Sequence, residues 1–406
     1  MSSDAESFDL VSQAFKRDPF PTYLRMHEEA PVSRTKVPII GDAWLVAPYD
    51  DVVAMLKDKE HFVHDPVNAG RRQRVGIAWW MPRLLRTLTD HMLGSDQPKH
   101  RRLRGLVDQA FSRRGIDGMR GRIEEIADQL LDRMAKNGSA DLVSDFARPL
   151  PLTVICEVLG LPQQDRPKFV RWVEAMTQPP SVIGIMRIFP ALYKMTRYLR
   201  RQFDLRRREP RNDLITALVE AEDAGDQLSE DELLSMVFLL LVAGHETTVH
   251  LIGGGALALM CHTDQRDRLL ADWSLIGSTV EELLRYTSPV EFATIRYASE
   301  DLVLHGKKLK RGDHILPALG AANCDPAHFD NPTGLDITRR PNNHVALGSG
   351  IHFCLGQQLA RMEAQIAFER LFKRFPDMAP SMPLEMLEWR ETLGLHGLAS
   401  LPVNLS

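Results

Sequence analysis

Cysteine is scarce in this chain, whose 406 residues include only four, at positions 156, 261, 324 and 354. The four are widely scattered, and no two stand in a Cys-x-x-Cys pair. This pattern argues against a disulfide scaffold, a zinc site or an iron–sulfur cluster, and it is typical of proteins in a reducing compartment. We therefore expect a cytoplasmic protein.

Long apolar runs and an excess of one charge are missing too. No segment reaches the ~18 uninterrupted apolar residues that a membrane span needs. The polar N-terminal residues lack the basic and apolar regions of a signal peptide. A net charge of −4 offers no general attraction to nucleic acid or to an anionic membrane. The sequence therefore predicts no membrane span and no nucleic-acid partner, and we expect a monomer.

The pattern of apolar residues predicts a mainly α protein with small β-sheets. Helical periodicity prevails from about residue 97 to 285, whereas residues 44–46 and 301–309 have strand character. The longest helix is predicted over residues 229–262. Ser229 and Glu232 form a capping box at its start, and apolar residues surround its axis, as in a helix buried through the middle of a protein. No repeat or linker divides the chain, so we expect one domain over residues 1–406.

Cys354 lies in the most informative stretch, residues 344–356, which read His-Val-Ala-Leu-Gly-Ser-Gly-Ile-His-Phe-Cys-Leu-Gly. Glycines surround the thiol, His352 precedes it by two residues, and a helical pattern follows it directly. The amide groups and dipole of a helix N-terminus stabilise a thiolate, and glycine lets a flat ligand approach the backbone closely. A cysteine merely buried beside a turn is the commoner arrangement, so the loop alone leaves both interpretations open.

This loop resembles the haem-ligand loop of the cytochrome P450 family, which has the pattern Phe-x-x-Gly-x-His/Arg-x-Cys-x-Gly. Gly350, His352, Cys354 and Gly356 match, and Leu347 stands where the family has an aromatic residue. The resemblance implies the P450 fold, with a long central helix over a buried heme b, and Cys354 as the axial thiolate ligand of the iron. We expect the leucine to affect the redox tuning of the haem without removing its ligand.

The middle of the long helix reads Ala-Gly-His-Glu-Thr-Thr at residues 243–248. An acid and an alcohol inside an apolar helix are costly unless they are paired or functional. Thr247 could also bond its own backbone, and Glu246 could pair with an ordinary cation. The segment resembles the oxygen-activation motif of the same family at every position. The resemblance implies that Glu246 and Thr247 deliver protons to O₂, the co-substrate, and that Ala243 and Gly244 line the groove where it binds beside the haem.

His245 and His250 on the same helix invite comparison with the His-Glu-x-x-His motif of zinc proteases. They are five residues apart rather than four, which turns them about 140° away from each other at ~100° per residue. In that motif the two histidines share one helix face and bind one metal ion. The spacing therefore disfavours a zinc site here.

Two further sets of residues resemble features of the family. Glu282 and Arg285 match its Glu-x-x-Arg signature, which implies a buried ion pair, whereas on a surface such a pair would contribute almost nothing. Haem propionates need cationic donors. The resemblance assigns that role to His100, Arg104, Arg296 and His352.

Together these residues imply a monooxygenase of the soluble bacterial type, which inserts one oxygen atom of O₂ into a C–H bond. The sequence contains no appended reductase module, so the family precedent implies an external ferredoxin that is supplied by an NAD(P)H-dependent reductase. We expect this acidic partner to dock on a basic patch. The candidate residues of the patch are Arg101, Arg102, Arg113, Arg114 and Arg361.

The substrate is predicted only by class, as a mid-sized hydrophobic small molecule. Each residue that analogy with the family places in the pocket is individually more often plain core. A polar anchor for the substrate also stays possible at this stage. The candidates for it are Glu291 and the arginines at positions 71, 72 and 74. The candidate lining residues are Trp79, Trp80, Leu240, Ala243, Val290, Phe292 and Leu395.

Two other functions stay open at this stage. One is a haem-binding carrier or gas sensor, and the other is an enzyme that uses peroxide in place of O₂ and a reductase. Sensors rarely need a proton relay, and the fatty-acid peroxygenase branch of the family replaces the acid–alcohol pair. The pair Glu246–Thr247 therefore favours the monooxygenase.

Overall fold

A computed structural model describes residues 8–37, 40–71, 91–114, 116–136, 138–176, 182–223 and 228–405 of the chain. The chain separates into two compact units. The first comprises Met1–Ala78, Ala127–Ala147 and Thr247–Ser406, and the second comprises Trp79–Ile126 and Arg148–Glu246. Helix predominates and the strands form small sheets, so the predicted fold class is confirmed. One domain over the whole chain stays a prediction.

The elements are numbered along the chain. The helices are α1 (Gln13–Arg17), α2 (Phe20–Glu29), α3 (Tyr49–Lys57), α4 (Lys99–Arg114), α5 (Arg120–Ala135), α6 (Pro149–Leu159), α7 (Arg166–Met176), α8 (Val182–Arg208), α9 (Leu214–Asp223), α10 (Glu230–Cys261), α11 (Thr263–Ala271), α12 (Ile276–Thr287), α13 (Leu319–Ala322) and α14 (Gln357–Arg374). The strands are β1 (Val32–Val37), β2 (Gly41–Val46), β3 (Phe62–Val63), β4 (Ser139–Asp141), β5 (Arg296–Ala298), β6 (Leu302–Leu304), β7 (Lys307–Leu309), β8 (His314–Pro317), β9 (Ala379–Pro380) and β10 (Pro402–Asn404).

The first unit contains the sheets. The largest has five strands in the order β1-β2-β8-β5-β3, with β2 parallel to β8 and the other neighbours antiparallel. Every residue of β8 is buried, as expected for a central strand with cover on both faces. The pairing of β3 with β5 sets Val63 opposite Tyr297. It thereby brings the chain around residue 64 close to Arg296, which is one of the predicted site residues.

The described residues of the second unit form helices and no strand. Arg206 at the end of α8 is fully buried, pairs with Asp213 at 2.6 Å and donates to the carbonyl of Gly160 at 2.5 Å. Gly160 ends α6 with a φ of +79°, and a Cβ there would collide with the Asp213 side chain. Because a buried charge without its partner is strongly destabilising, this pair fixes the turn from α8 into α9.

Helix α10 matches the helix predicted over residues 229–262 and begins with the predicted capping box. The Ser229 amide donates to Glu232 Oε2 at 3.0 Å, and the Glu232 amide donates to Ser229 Oγ at 3.2 Å. Within the described part of the chain, α10 alone is long and apolar enough to cross a membrane, and 67% of its most apolar 18-residue window is buried inside the protein. Such burial is typical of a core helix.

Helix α14 begins later than the sequence pattern predicted. It starts at Gln357 with Gly356 as its N-cap, so Leu355 belongs to the loop and not to the buried face of the helix. The Cys354 amide donates to the carbonyl of Leu347 at 2.9 Å, and this bond holds the cysteine in the turn of the loop. The buried face of α14 includes Leu359, Met362 and Ile366.

Candidate active site

The loop around Cys354 holds its thiol half-buried. Gly348 and Gly350 have φ values of +73° and +70°, which side chains with a Cβ rarely adopt. A Cβ on Gly350 would also collide with the carbonyl of Leu56 in α3. The loop is therefore packed against α3 by a glycine that no other residue can replace without strain, and it presents the thiol from a fixed backbone.

Glu281 holds this loop in place through two side-chain contacts. Its carboxylate binds the Arg361 guanidinium at 2.6 Å and His344 Nε2 at 3.1 Å. Burial acts to raise the pKa of Glu281, but the hydrogen bonds from Arg361 and His344 outweigh it and lower the pKa to about 2. The acid is therefore charged at neutral pH and joins the start of the loop to α14. Arg361 also interacts electrostatically with the Cys354 thiol, which favours the thiolate.

His64 was missed by the sequence analysis, and the structure places it beside two predicted residues. Its ring centroid lies 3.9 Å from that of His352, and its Nε2 lies 3.1 Å from Thr294 Oγ1. Arg296 donates to the carbonyl of Phe62 at 3.4 Å. Two histidines and an arginine thus gather next to the cysteine loop. No spacing in the sequence relates residue 64 to residue 352, because only the tertiary fold brings them together.

Glu282 and Arg285 form the buried ion pair that the sequence predicted. Both side chains are 0% exposed, with 2.7 Å between Arg285 Nη2 and Glu282 Oε1. Arg285 also donates to three backbone carbonyls, and Glu282 accepts hydrogen bonds from three further residues. The carbonyls are those of Asn323, Pro332 and Gly334, and the donors to Glu282 are Asp336, Arg339 and Asn342. One ion pair therefore holds most of the irregular segment before the cysteine loop.

The predicted oxygen-activation residues lie in the unbroken middle of α10. Ala243 is exposed and Thr247 half-exposed, whereas Glu246 is buried, with His245 Nε2 at 3.4 Å from its Oε2. A Cβ on Gly244 would lie 3.1 Å from Ile155 Cδ1, so this glycine lets α10 pack closely on α6. In the part of the chain that the structure describes, no three His, Cys, Asp or Glu residues form a metal-binding group.

The other predicted cationic residues lie on helix α4 of the second unit. His100 is buried, with 2% of its surface exposed, and Arg104 lies one turn further on, with its Nε 3.5 Å from Asp108 Oδ2. Three residues predicted for the docking patch are described one by one: Arg102 binds Glu232 at 2.5 Å, Arg361 is held by Glu281, and Arg101 is exposed. The side chains of the remaining two patch residues, Arg113 and Arg114, lie outside the described part of the chain.

The candidate pocket residues divide into three groups. Val290 and Leu395 form an antiparallel bridge and are half-buried. Leu240 and Phe292 are buried, and Phe292 packs in an apolar cluster of the first unit rather than on an open surface. Trp79 and Trp80 lie outside the described residues, as do the arginines at positions 72 and 74.

Glu291, which the sequence left open as a polar anchor for the substrate, is fully buried and bound to Lys16 at 2.5 Å. The arginine at position 71, named with it, donates to the carbonyl of Gly312 at 2.7 Å. Both side chains are therefore occupied by contacts within the protein.

Glu363 is a buried acid that the sequence analysis missed. It lies on α14 with 1% of its surface exposed, close to Thr248, the neighbour of Thr247 on α10. Burial raises the pKa of Glu363 to about 8, while the contact with Thr248 acts to lower it. The only sequence signal was an acid on the otherwise apolar face of α14, at the helical spacing of Leu359, Met362 and Ile366.

We expect Glu363→Gln to flatten the dependence of folding stability on pH. Between pH 5 and 8 the unfolded chain has lost the proton of this acid while the folded protein still holds it, so the stability of the wild type falls as pH rises. Across that interval the wild type should lose on the order of 3 kcal/mol relative to the glutamine variant. Urea unfolding of both proteins at the two pH values measures this difference. Glu369→Gln, on the same helix but ion-paired and partly exposed, is the control and should follow the wild type. Parallel pH curves for Glu363→Gln and wild type would contradict the assignment.

Comparison with known proteins decides the family. The family model for cytochrome P450 matches residues 184–393. The chain is 44% identical over 396 residues to the polyketide biosynthesis cytochrome P450 PksS of Bacillus subtilis (strain 168), with 97% of each chain covered. This chain belongs to the cytochrome P450 family.

Three further comparisons extend this result. The P450 is 41% identical over 396 residues to the cytochrome P450 monooxygenase PikC of Streptomyces venezuelae, covering 97% of this chain and 92% of PikC. The solved structure of PksS superposes with a TM-score of 0.90, covering 98% of this chain and all of that one (100%). P450BioI, solved in complex with an acyl carrier protein ligated to hexadec-9Z-enoic acid, has 34% identity and a TM-score of 0.88, covering 97% and 100%. The predicted family, fold and enzyme class are confirmed.

The residues around Cys354 fit the haem that P450s carry as cofactor. A thiol half-buried in a glycine loop can serve as the iron ligand. Apart from its two chain neighbours, no described protein atom lies within 4 Å of the position that a Cβ on Gly356 would take, which leaves room for a flat macrocycle to approach the backbone closely. His352 and Arg296 beside the loop are donors that propionates need. The donor set therefore suits a haem-thiolate site, as the sequence predicted.

Proposed function

We propose that this P450 inserts one oxygen atom of O₂ into a C–H bond of a mid-sized hydrophobic metabolite, and that this metabolite is a polyketide. The observation that carries the proposal is the Cys354 thiol, held half-buried by a glycine loop with positive φ values and by the Glu281–Arg361 ion pair. The substrate class is supported by the name of PksS, a polyketide biosynthesis cytochrome P450 that shares 44% identity with this chain.

In this proposal each residue has one task. Haem, when bound, supplies the O₂-activating chemistry. Cys354 would hold the iron as a thiolate, and His100, Arg104, Arg296 and His352 would hold the propionates. Thr247 would hold a proton at Oγ1, and Glu246, on the buried side of α10, would replace that proton. His245 Nε2, 3.4 Å from Glu246 Oε2, is near enough to orient that acid. Val290 and Leu395 line the substrate pocket.

We further propose that a ferredoxin donates the electrons and that an NAD(P)H-dependent reductase reduces the ferredoxin. We also propose that the enzyme is a monomeric, single-domain protein of the cytoplasm. Of the patch residues whose side chains are described, Arg101 is the exposed one and Arg102 and Arg361 are ion-paired. An exposed arginine steers an acidic partner more effectively than one already neutralised by a neighbouring acid.

The visible spectrum of the dithionite-reduced protein, with and without carbon monoxide, tests the thiolate. We expect the large red shift of the Soret band that a thiolate opposite CO produces. Polyketides and fatty acids are then screened for a spin-state change, and those that bind are turned over with ferredoxin, reductase and NADPH. A histidine-type CO spectrum would reject the thiolate. Turnover with hydrogen peroxide but none with ferredoxin, reductase and NADPH would reject the ferredoxin-dependent mechanism.

We expect Thr247→Ala to uncouple electron use from product formation. Without the hydroxyl, protons reach the bound oxygen without control, so NADPH consumption continues while product per NADPH falls by about tenfold or more. Peroxide-driven turnover should largely survive. The measurement is the ratio of product formed to NADPH consumed. Thr279→Ala is the matched control, because that threonine bonds the Leu275 carbonyl of its own helix at 2.8 Å. Equal coupling in Thr247→Ala and wild type would remove Thr247 from the relay.

A further inference from the structure

Lys16 of helix α1 is fully buried, and its ammonium group joins two distant chain segments. Its Nζ lies 2.5 Å from Glu291 Oε2 and donates to the carbonyl of Leu395 at 2.9 Å. Both side chains of the ion pair are 0% exposed. Lysine is almost never buried completely unless it is paired, so this contact is specific. It lies outside every role that the proposed function assigns.

The two segments that Lys16 joins are residues 289–294 and 393–396, and they also bond to each other. The Glu291 amide donates to the Gly394 carbonyl at 3.0 Å, and the His396 amide donates to the Pro289 carbonyl at 3.1 Å. Val290 and Leu395 form the antiparallel bridge between them. The segments thus behave as a short two-stranded ribbon, which Lys16 closes at its buried edge.

The same ribbon reaches the cysteine loop at its other end. Thr294 contacts His64, whose ring packs on that of His352, two residues from Cys354. Along the ribbon, Glu291 is buried on one side while Val290, Ala293 and Leu395 remain half-buried. Val290 and Leu395, which form the bridge between the two segments, are the half-buried residues that the proposed function places in the pocket wall.

Helix α1 is itself fixed to the second segment. The side chain of Gln13 donates to the Trp389 carbonyl at 2.7 Å and accepts from the Trp389 amide at 3.0 Å. His396 places its Nε2 2.7 Å from the Lys16 carbonyl and its Nδ1 2.8 Å from the Thr287 carbonyl at the end of α12. Because apolar replacements of a buried ion pair are often at least as stable, the pair is better explained by the geometry it imposes than by stability.

We propose that Lys16 is a positioning residue for substrate, which fixes the spacing of residues 289–294 and 393–396 by binding the Glu291 carboxylate and the Leu395 carbonyl together. The inference rests on the proposed function, because it takes these segments to bound the substrate pocket. Lys16 itself touches no substrate. It sets the distance between the half-buried residues Val290 and Leu395, and so the shape of the wall that they offer.

The test uses the haem-loaded variants Lys16→Met and Lys16→Met/Glu291→Gln, with 4-phenylimidazole and imidazole as iron-binding probes. Both probes report access to the iron, but only the larger one contacts the pocket wall. We expect the Kd of 4-phenylimidazole to rise by about tenfold while that of imidazole stays unchanged. Amide hydrogen exchange should increase in residues 289–294 and 393–396. The double variant removes the unpaired buried acid, so its thermal stability recovers while the probe effect remains.

The matched control is Asp213→Asn, which breaks the buried pair with Arg206 in the second unit and should lower thermal stability without altering the ratio of the two Kd values. Hydrogen exchange needs neither substrate nor turnover, so it tests the link whether or not the proposed substrate class is right. Unchanged exchange in both segments of the Lys16 variants would overturn the inference. A changed exchange with an unchanged ratio of Kd values would overturn the positioning role.

Discussion

Replacing Cys354 with serine is expected to abolish the red-shifted CO spectrum and O₂-dependent turnover. Serine keeps the size of the side chain but offers no thiolate, so the iron loses the ligand whose electron donation favours cleavage of the O–O bond. Loss of an outer-shell partner of a metal ligand costs about 10–100-fold, and loss of the ligand itself should exceed that. Product formation with ferredoxin and reductase, together with the CO spectrum, measures the effect.

The remaining cysteines provide the control for this result. Burial raises the pKa of Cys156 and of Cys324 to about 12 and also raises the pKa of Cys261, so none of these thiols is poised to become a thiolate. Cys261→Ser, which removes an exposed thiol, should leave both the spectrum and the turnover intact. If Cys354→Ser kept the red-shifted band, a ligand other than Cys354 would have to hold the iron.

The parts of this site that the sequence predicted are those whose chemistry is local. The glycines around Cys354, the acid–alcohol pair on α10 and the Glu282–Arg285 pair each fall within a few residues, and their spacing alone fixes their relative positions. The capping box of α10 is local in the same sense, and its two hydrogen bonds are present. Short-range patterns in the sequence therefore suffice to predict the helices and the motifs that lie on them.

What the sequence could not predict depends on contacts between distant residues. His64 packs on His352 across 288 positions, and Lys16 meets Glu291 across 275 positions. Neither pair leaves a spacing in the sequence. Phe292 shares a buried apolar cluster with the N-terminal residues Phe8 and Phe15, and no spacing in the sequence relates them either. The late start of α14 arises likewise from a hydrogen bond across the loop, between Cys354 and Leu347.

Two neighbouring acids on α12 each bind a different part of the chain around the cysteine loop. Glu281 binds the loop and α14 through His344 and Arg361. Glu282, next in the chain, binds Arg285 and the irregular segment that leads to the loop. Successive residues on a helix point about 100° apart. Glu281 and Glu282 can therefore bind different parts of the protein from the same turn of α12. The thiolate is thus positioned by α12 as well as by its own glycines.

Replacing Arg285 with alanine is expected to destabilise the protein by about 3–5 kcal/mol, because it leaves the Glu282 carboxylate buried without its main partner. Three backbone carbonyls lose their donor at the same time. Arg285→Lys should restore only part of the loss, since an ammonium group cannot reproduce the planar fork that binds Glu282 through two nitrogens. Urea unfolding followed by circular dichroism measures the free energy, and the yield of haem-loaded protein should fall with it.

Arg25→Ala is the control for Arg285→Ala, because it removes an arginine whose ion pair is exposed rather than buried. Arg25 pairs with Glu29 at 3.0 Å, but the two side chains are 53% and 44% exposed, so the loss should be below about 1 kcal/mol. The two arginines thus bind the same chemical group and differ in their access to water. If Arg285→Ala cost no more than Arg25→Ala, the irregular segment would be held by its backbone alone, and the Glu-x-x-Arg pair would not be what positions the chain before Cys354.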